Sequence, residues 1–429
     1  MLGQIAIIGS GAAGLAAAYY LSDDYELFLF EAGSHFGGHA FTYVIEDGPD
    51  AGLPLDLGFM VMNSKNYVHF QRLLKKLGLV EYGNSDMSFG YYNPQFDFSY
   101  ALNWNEHNYF SKKYNLYAFN ELKQKPQILP YLSKIHKTCG IIEHDLLQKK
   151  MGILTLREYF SLREFPQEVI DLYIIPMGAA IWSTPCLRML DFPAQNFFHF
   201  FLNHGLLNFS DTIQWQYIPG GSQSYVRAIV KRLENKHLKS PVHSILRSPE
   251  HITLVLADGE TKVFDKVIIA THADQALELL ADATPTEIEL LSSWIYTTNS
   301  ATLHSDEQVM PPQMLSWASW NAVVEDEENQ FMSLNYHLNR LQGHTQTKKQ
   351  YFLSLNRRLP IDEKKIILEI DFMHPTYSSK SFEAQNMLRL INGTNRTYFC
   401  GNYLGFGFHE DAALSGIEVA QLIQGKKLC

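Results

Sequence analysis

A glycine-rich loop lies near the start of this chain, where residues 9–14 read Gly-Ser-Gly-Ala-Ala-Gly. The apolar run Ile5–Ile8 precedes the loop and predicts a buried parallel strand, while the Ala-rich run Leu15–Leu21 follows it and predicts a helix. A second apolar run, Glu26–Phe30, leads directly to Glu31. The order and spacing of these elements, strand, loop, helix, strand and acid, therefore match those of a dinucleotide-binding unit.

Each glycine of this loop has its own physical role. Gly9 permits the tight turn, Gly11 lets the backbone approach a pyrophosphate, and Gly14 allows the helix to pack closely on the strands. The unpaired N–H groups at the helix start, around Ala12 and Ala13, would then hold the pyrophosphate.

The acid at the end of the second strand narrows the choice of dinucleotide. Glu31, with Ala32 beside it, would accept hydrogen bonds from an adenosine ribose, and its charge would repel a 2′-phosphate. NADP is therefore disfavoured, whereas NAD and FAD share this unit. The segment Gly37-Gly38-His39 would carry a further loop over the pyrophosphate, where side chains would block the approach. The extended run Gly58-Phe59-Met60 would lie against a flat ring, which favours FAD.

At these residues the chain begins to resemble the flavin-dependent amine oxidase superfamily, which also contains phytoene desaturases and protoporphyrinogen oxidases. Two C-terminal segments, Thr397–Tyr403 and Phe408–Ala420, extend the resemblance, because in this superfamily a strand, a turn and a helix close the FAD domain. The resemblance implies that the helix start stabilises the reduced flavin through its N–H groups. It assigns further cofactor contacts to Val242, Ala270, Thr271, Gly401, Asn402, Glu410, Asp411 and Ala412.

Six short segments resemble a bacterial group of FAD-binding proteins within the superfamily. Members of this group often resemble acyl-lipid enzymes in their genomic context. This resemblance implies a long apolar substrate, such as a lipid acyl chain that is desaturated. The segments are Pro176–Ser183, Leu190–Pro193, His204–Leu207, Trp317–Asn321, Asn339–Gln342 and Gly405–Asp411.

The segments that match the cofactor domain are separated in sequence, so we expect a discontinuous α/β architecture. A Rossmann-type FAD-binding domain is predicted from residues 1–70, 215–280 and 390–429. The stretches 71–214 and 281–389 are predicted to form a substrate-binding domain with a mixed sheet and helices.

Within the substrate-binding part, local patterns predict the individual elements. The aromatic-rich stretch Phe89–Trp104 suits a sheet, and Ile153–Phe201 looks largely helical. Further strands are predicted at Asn299–His304, Gln313–Ala318 and Gln330–Asn335.

Composition excludes several classes of protein. A net charge of −10 argues against nucleic-acid binding, and no apolar run reaches the ~18 residues of a membrane span. Four cysteines, Cys139, Cys186, Cys400 and Cys429, show no C-x-x-C spacing, so neither a zinc site nor a redox disulfide is indicated. We expect a cytoplasmic protein, and peripheral contact with the inner face of the membrane stays open.

The chemistry is inferred from what the chain contains and what it lacks. No second glycine-rich nucleotide loop lies in the middle of the chain, so electrons are expected to enter from an organic substrate. The superfamily's lysine near flavin N5 has no counterpart in Phe331–His337, and the helix segment lacks the cysteine used for covalent attachment. We therefore expect non-covalent FAD, with His409 at the helix start as the candidate catalytic residue.

Three functions remain open from the sequence. The first is an FAD-dependent dehydrogenase of an apolar substrate that transfers hydride to flavin N5. The second is an amine oxidase that releases hydrogen peroxide, for which the acids Asp306-Glu307 and 325–328 would have to lie at a tunnel mouth. The third is a dinucleotide-binding partner of a lipid-modifying enzyme, without turnover. The electron acceptor and the oligomeric state also remain open.

Overall fold

The computed structural model describes residues 2–94, 98–103, 128–182, 186–207, 213–326 and 331–426. Trp104, Gln330 and Cys429, which took part in the predictions above, lie outside these ranges. The strands are β1 Gln4–Ile8, β2 Glu26–Phe30, β3 Thr42–Val44, β4 Pro54–Asp56, β5 Met62–Asn63, β6 Gly83–Asn84, β7 Ser88–Asn93, β8 Phe98–Asn103, β9 Trp215–Tyr217, β10 Asn235–His237, β11 Val242–Arg247, β12 Ile252–Leu256, β13 Thr261–Phe264, β14 Lys266–Ile269, β15 Ile295–His304, β16 Trp320–Asp326, β17 Phe331–His337, β18 Phe352–Leu355, β19 Ile366–Thr376 and β20 Thr397–Phe399.

The helices alternate with these strands and cluster in two regions. They are α1 Ala12–Leu21, α2 Val68–Lys76, α3 Ile128–Leu147, α4 Leu156–Arg163, α5 Gln167–Val169, α6 Ile175–Trp182, α7 Cys186–Met189, α8 Ala194–Asn203, α9 Gln223–Val230, α10 Ala273–Leu279, α11 Pro285–Leu291, α12 Leu338–Leu341, α13 Ser379–Leu390 and α14 His409–Ile423. A π-helical turn, Ile170–Ile174, joins α5 to α6. None of the helices in the described ranges is both long and apolar enough to cross a lipid bilayer.

A five-stranded parallel sheet gathers distant parts of the chain, in the order β10-β2-β1-β14-β20. Its central strand β1 pairs in parallel with β2 on one side and with β14 on the other. Helices α1 and α14 pack closely, because Gly416 has no side chain: a Cβ there would lie 2.1 Å from the Ala13 carbonyl oxygen. The predicted Rossmann-type α/β unit is confirmed, and β2 has its predicted bounds, Glu26–Phe30.

A seven-stranded sheet, in the order β19-β15-β18-β17-β16-β7-β8, forms the second layer. Its pairs are antiparallel except for β7 with β16, so the sheet is mixed, as the fold prediction requires. Most of 153–201 is helical, also as predicted. How the chain divides into domains at 70, 215, 280 and 390 stays a prediction.

One predicted strand, Gln313–Ala318, is wrong. Met314–Ser316 forms a 3₁₀ turn, and the strand begins later, at Trp320. The reason is that side chains satisfy the backbone of this segment: Asn321 accepts from Ala318 N–H at 2.8 Å and donates to the Ala318 carbonyl at 2.6 Å. These bonds replace the ladder that a strand would need.

Candidate active site

A cavity of about 670 Å³ is lined by residues of both sheets. It begins at the carboxyl ends of the parallel strands β1, β2 and β14, which is where open α/β sheets bind ligands. Most of the predicted site residues line it. They are Gly9, Gly11, Ala12, Ala13, Glu31, Ala32, Gly38, His39, Gly58, Phe59, Met60, Val242, Ala270, Thr271, Gly401, Asn402, His409 and Ala412.

The glycine-rich loop has the geometry that a phosphate group requires. Gly9 turns the chain with a φ of +96°, which favours glycine. A Cβ at Gly11 would meet no atom within 4 Å, so this position opens onto free space at the start of α1. Helix α1 has no side-chain cap, so its first N–H groups are available to an anion.

Gly14 does not line the cavity, and its role is packing. A Cβ at Gly14 would lie 2.1 Å from the Gly9 carbonyl oxygen, so only glycine lets α1 start this close to β1. This agrees with the packing role that the sequence pattern gives to the third glycine.

Glu31 is held with both carboxylate oxygens already oriented. Oε2 accepts from the Ser10 backbone N–H at 3.0 Å, and Oε1 accepts from the Gly33 N–H at 2.8 Å. Oε2 also accepts from the Ser10 hydroxyl at 2.5 Å, which fills its two acceptor positions, whereas Oε1 keeps one lone pair for a further donor. The carboxylate can therefore accept a ribose hydroxyl at Oε1, as the sequence pattern predicts.

The two glycines of the second pair, Gly37 and Gly38, have different roles. Gly38 passes over the first loop, because a Cβ there would lie 3.3 Å from Gly11 Cα. Gly37 is turned away from the cavity: its φ is +121°, and its N–H donates to Ser10 Oγ at 3.1 Å. Gly37 thus shapes the turn and fixes it to the phosphate loop.

Glu410 and Asp411 lie outside the cavity wall, and their side chains cap neighbouring backbone. Glu410 accepts the His69 and Phe70 N–H groups at the start of α2, both at 2.8 Å. Asp411 Oδ2 accepts the N–H groups of Phe406 at 3.0 Å and Phe408 at 2.9 Å. Burial raises the pKa of Glu410 to about 7 and that of Asp411 to about 6, while these N–H bonds act in the opposite direction.

Removing the Asp411 carboxylate should destabilise the turn before α14. We expect Asp411→Ala to lower the free energy of unfolding by about 2–4 kcal/mol, because two buried N–H groups lose their acceptor. Asp411→Asn keeps one acceptor oxygen and should lose less than half as much. Urea unfolding of the two variants measures the difference, and equal losses would contradict this hydrogen-bonding role.

His409 is fixed within the wall. Its ring stacks on Phe59 with centroids 3.9 Å apart, and its Nε2 lies 2.7 Å from the Tyr225 hydroxyl. Burial lowers its pKa to about 3, so the imidazole is neutral at neutral pH. A ring engaged on two sides is suited to holding the Gly58–Met60 segment in place. The catalytic role predicted for His409 stays a prediction.

One part of the cavity wall is apolar. Of the aromatic run 197–201, Phe197, Phe198 and Phe201 belong to the core, and Phe200 lines the cavity. Trp320 lines the cavity, whereas Trp317 packs elsewhere, with Phe352. The apolar lobe consists of Met87, Phe89, Met177, Ile181, Phe200, Leu206, Trp215 and Trp320.

Four histidines of the described cavity lining were not among the predicted site residues: His204, His243, His272 and His374. His204 stacks on Phe200 with centroids 3.7 Å apart, and His374 lies 5.1 Å from the His39 ring. In the sequence, His204 and His374 each follow a stretch that is typical of an ordinary core. The local composition therefore does not indicate that they line a cavity. The described lining of the cavity contains neither lysine nor arginine, so histidines are its only basic side chains.

Comparison with known proteins identifies related folds. The model of the family described as flavin containing amine oxidoreductase matches residues 12–347. No curated protein matches the sequence significantly. Among solved structures, the CLA-producing fatty acid isomerase from P. acnes is 16% identical with a TM-score of 0.66, and the alignment covers 99% of this chain and 98% of that one.

Two oxidases of known structure show the same fold. A putrescine oxidase is 12% identical with a TM-score of 0.69, and the alignment covers 99% of this chain and 100% of the other. Cyclohexylamine oxidase from Brevibacterium oxydans IH-35A is 15% identical with a TM-score of 0.66, with the same two coverages. At these identities the similarity concerns the fold alone.

Proposed function

The chain belongs to the flavin-containing amine oxidoreductase family, and on that basis we propose that it binds FAD non-covalently and dehydrogenates a long apolar substrate. It is an oxidoreductase with a flavin cofactor.

The residues of the cavity suit FAD. Gly11 leaves open space beside an uncapped helix start, and Glu31 offers an oriented acceptor one strand away. The cavity continues past Gly58 to the start of α14, which gives room for a flavin ring beyond the pyrophosphate. Cys400 packs in the apolar core with Ile268 and Ala412 and does not line the cavity, which supports non-covalent binding.

The apolar lobe carries the substrate assignment. An amine substrate would arrive as an ammonium ion, and a buried charge needs a carboxylate partner. Two acids line the described part of the cavity, Glu31 and Glu278. Glu31 directly follows β2, and Glu278 lies on α10, which packs against β11, the strand that carries the predicted cofactor contact Val242. No other acid lines the described part of the cavity, so the cavity favours an uncharged chain over an amine.

The acids that an amine oxidase would use at a tunnel mouth are engaged elsewhere. Asp306 pairs with Lys365 at 3.0 Å, and Glu325 pairs with Arg357 at 3.0 Å. Neither acid lines the cavity. Glu327 and Glu328 lie outside the described residues.

His204 is the proposed proton acceptor. FAD, when bound, supplies an acceptor for the hydride that leaves one substrate carbon. Forming a C=C bond also releases a proton from the neighbouring carbon, which needs a base. His204 Nδ1 lies 2.9 Å from the Phe200 carbonyl oxygen and can only donate to it, so the neutral ring carries its lone pair on Nε2. Burial lowers the pKa of His204 to about 4, which keeps the ring neutral.

Anaerobic titration of the purified holoprotein tests this proposal. We expect long-chain fatty acids or acyl lipids to bleach the flavin band near ~450 nm, whereas putrescine and cyclohexylamine should leave it unchanged. His204→Phe should retain FAD and slow the bleaching by about 10²–10⁴-fold, the usual contribution of a general base.

Each of the two alternative functions predicts a different result of this titration. Bleaching by amines alone, with hydrogen peroxide on reoxidation, would overturn the apolar substrate in favour of an amine oxidase. A flavin that dithionite reduces and neither class of compound bleaches would favour the non-catalytic partner of a lipid-modifying enzyme.

A further inference from the structure

Two side-chain amides in the seven-stranded sheet form a chain of hydrogen bonds that ends at His374, in the wall of the cavity. Asn356 follows β18, Asn299 lies on β15 and is 1% exposed, and His374 lies on β19. The Asn356 and Asn299 amides are 2.6 Å apart, and Asn299 Nδ2 is 2.9 Å from His374 Nδ1. Because an amide can be turned either way, the direction of this chain of hydrogen bonds has to be established from its ends.

The first end is a backbone donor. The Ser300 N–H lies 3.1 Å from Asn356 Oδ1, and an N–H can only donate. Asn356 therefore presents its oxygen to Ser300 and its Nδ2 to Asn299 Oδ1. The Asn356 N–H also donates to the Ser300 carbonyl at 2.8 Å, which holds Asn356 in a left-handed conformation, φ +54°, that asparagine tolerates.

The second end is a backbone acceptor. Asn299 Nδ2 lies 3.3 Å from the Thr297 carbonyl oxygen, which can only accept. Both ends thus require the same amide orientation, with Asn299 donating to His374 Nδ1. A ring nitrogen that accepts carries no proton, so neutral His374 carries its proton on Nε2.

The surroundings keep this ring uncharged. Burial lowers the pKa of His374 to about 3, and the rings of His39 and His272 add to the effect. His39 lies 5.1 Å from His374 and 6.5 Å from His272, and Tyr296 stacks on His272 at 4.4 Å. Within the described residues these side chains form no arrangement suited to a metal ion. The face toward His374 therefore holds imidazoles and aromatic rings.

We propose that Asn299 and Asn356 are positioning residues that hold His374 as a neutral Nε2–H donor for the ligand of the cavity. The ligand atom it serves is an uncharged or anionic acceptor, either on the flavin ring or on a polar group of the substrate. This inference rests on the proposed function only for the identity of the ligand. The tautomer of His374 is a property of the protein alone.

The tautomer is tested first, on FAD-free protein labelled with ¹⁵N-histidine. The ¹⁵N NMR signal of His374 is assigned by its loss in His374→Gln. We expect this signal to show a protonated Nε2 and an unprotonated Nδ1. Asn299→Asp should reverse this, because a carboxylate only accepts and draws the proton to Nδ1. Asn356→Ala should leave a mixture of tautomers. A protonated Nδ1 in the unaltered protein, or no change in Asn299→Asp, would overturn the proposal.

The ligand atom is identified with His374→Leu, which removes the donor, and His374→Gln, which keeps an N–H donor. If the acceptor is on the flavin, His374→Leu should weaken FAD binding about tenfold, the worth of one neutral hydrogen bond, while His374→Gln should bind normally. If the acceptor is on the substrate, FAD affinity should be unchanged and KM should rise about tenfold in His374→Leu alone. No change in either quantity would refute the donor role, and FAD binding reports on it even where no substrate is turned over.

Discussion

Replacing Gly11 with alanine should give a protein that folds normally and binds FAD about 10–100-fold more weakly. The backbone of Gly11 has φ −64° and ψ 177°, which any residue adopts, and an added Cβ would meet no protein atom within 4 Å. The methyl group would instead project into the space where the pyrophosphate approaches the start of α1. Overfilling a close contact costs about 1–3 kcal/mol, which corresponds to this range of affinity.

FAD titration, together with thermal unfolding of the FAD-free protein, separates binding from folding. Gly140→Ala is the matched control, because its Cβ also meets nothing within 4 Å and it lies on an exposed part of α3. It should keep its FAD affinity and gain about 0.5–1 kcal/mol of stability, as for glycine to alanine in a helix. Gly14→Ala should instead damage the fold, since its Cβ would lie 2.1 Å from the Gly9 carbonyl oxygen. Normal FAD affinity in Gly11→Ala would place the cofactor away from this loop.

The cofactor unit could be predicted because its determinants are local. Gly9, Gly11 and Gly14 act within one turn, and β2 ends directly before Glu31, so spacing along the chain is also spacing in the fold. The partners of the side chains at the start of α14 are not local in this way. The start of α14 lies at the cavity, as the resemblance implies, but Glu410 and Asp411 turn their carboxylates to the backbone of α2 and of residues 406–408.

The chemistry of the substrate side depends on partners that are distant in sequence. Asn299 and His374 are 75 residues apart and meet only because β15 and β19 pair in one register. A shift of one residue would turn each side chain to the other face of the sheet. His204 is recognisable as a base candidate only after the lobe around it is known to lack acids. These residues needed the structure, because register and cavity shape are tertiary properties.

Acidification of the FAD-free protein from pH 7 should lower its stability steeply, because it holds many neutral buried histidines. Burial lowers the pKa of each, from 6.5 to about 4 for five of them and to about 3 for two. These are His39, His204, His272, His304, His337, His374 and His409. Between pH 6.5 and pH 4 the unfolded chain therefore binds more protons at these sites, so the free energy of unfolding falls as the pH falls.

Three buried carboxyl groups act in the opposite direction. Burial raises the pKa of Asp56 and Asp411 to about 6 and that of Glu410 to about 7, so the folded state binds their protons first and gains stability on acidification. Seven histidines outweigh three carboxyl groups. The net slope is on the order of several kcal/mol per pH unit near pH 5.5, at about 1.4 kcal/mol for each proton.

Urea unfolding at pH 7.5, 6.5 and 5.5 measures this slope. His337→Gln removes one titrating group, whose Nε2 lies 2.7 Å from Gln350 Oε1 in the seven-stranded sheet, and should reduce the slope by about one proton. Stability that stays level or rises between pH 6.5 and pH 5.5 would contradict the prediction. It would mean that these imidazoles acquire charge in the folded state, through water or counter-ions that reach them.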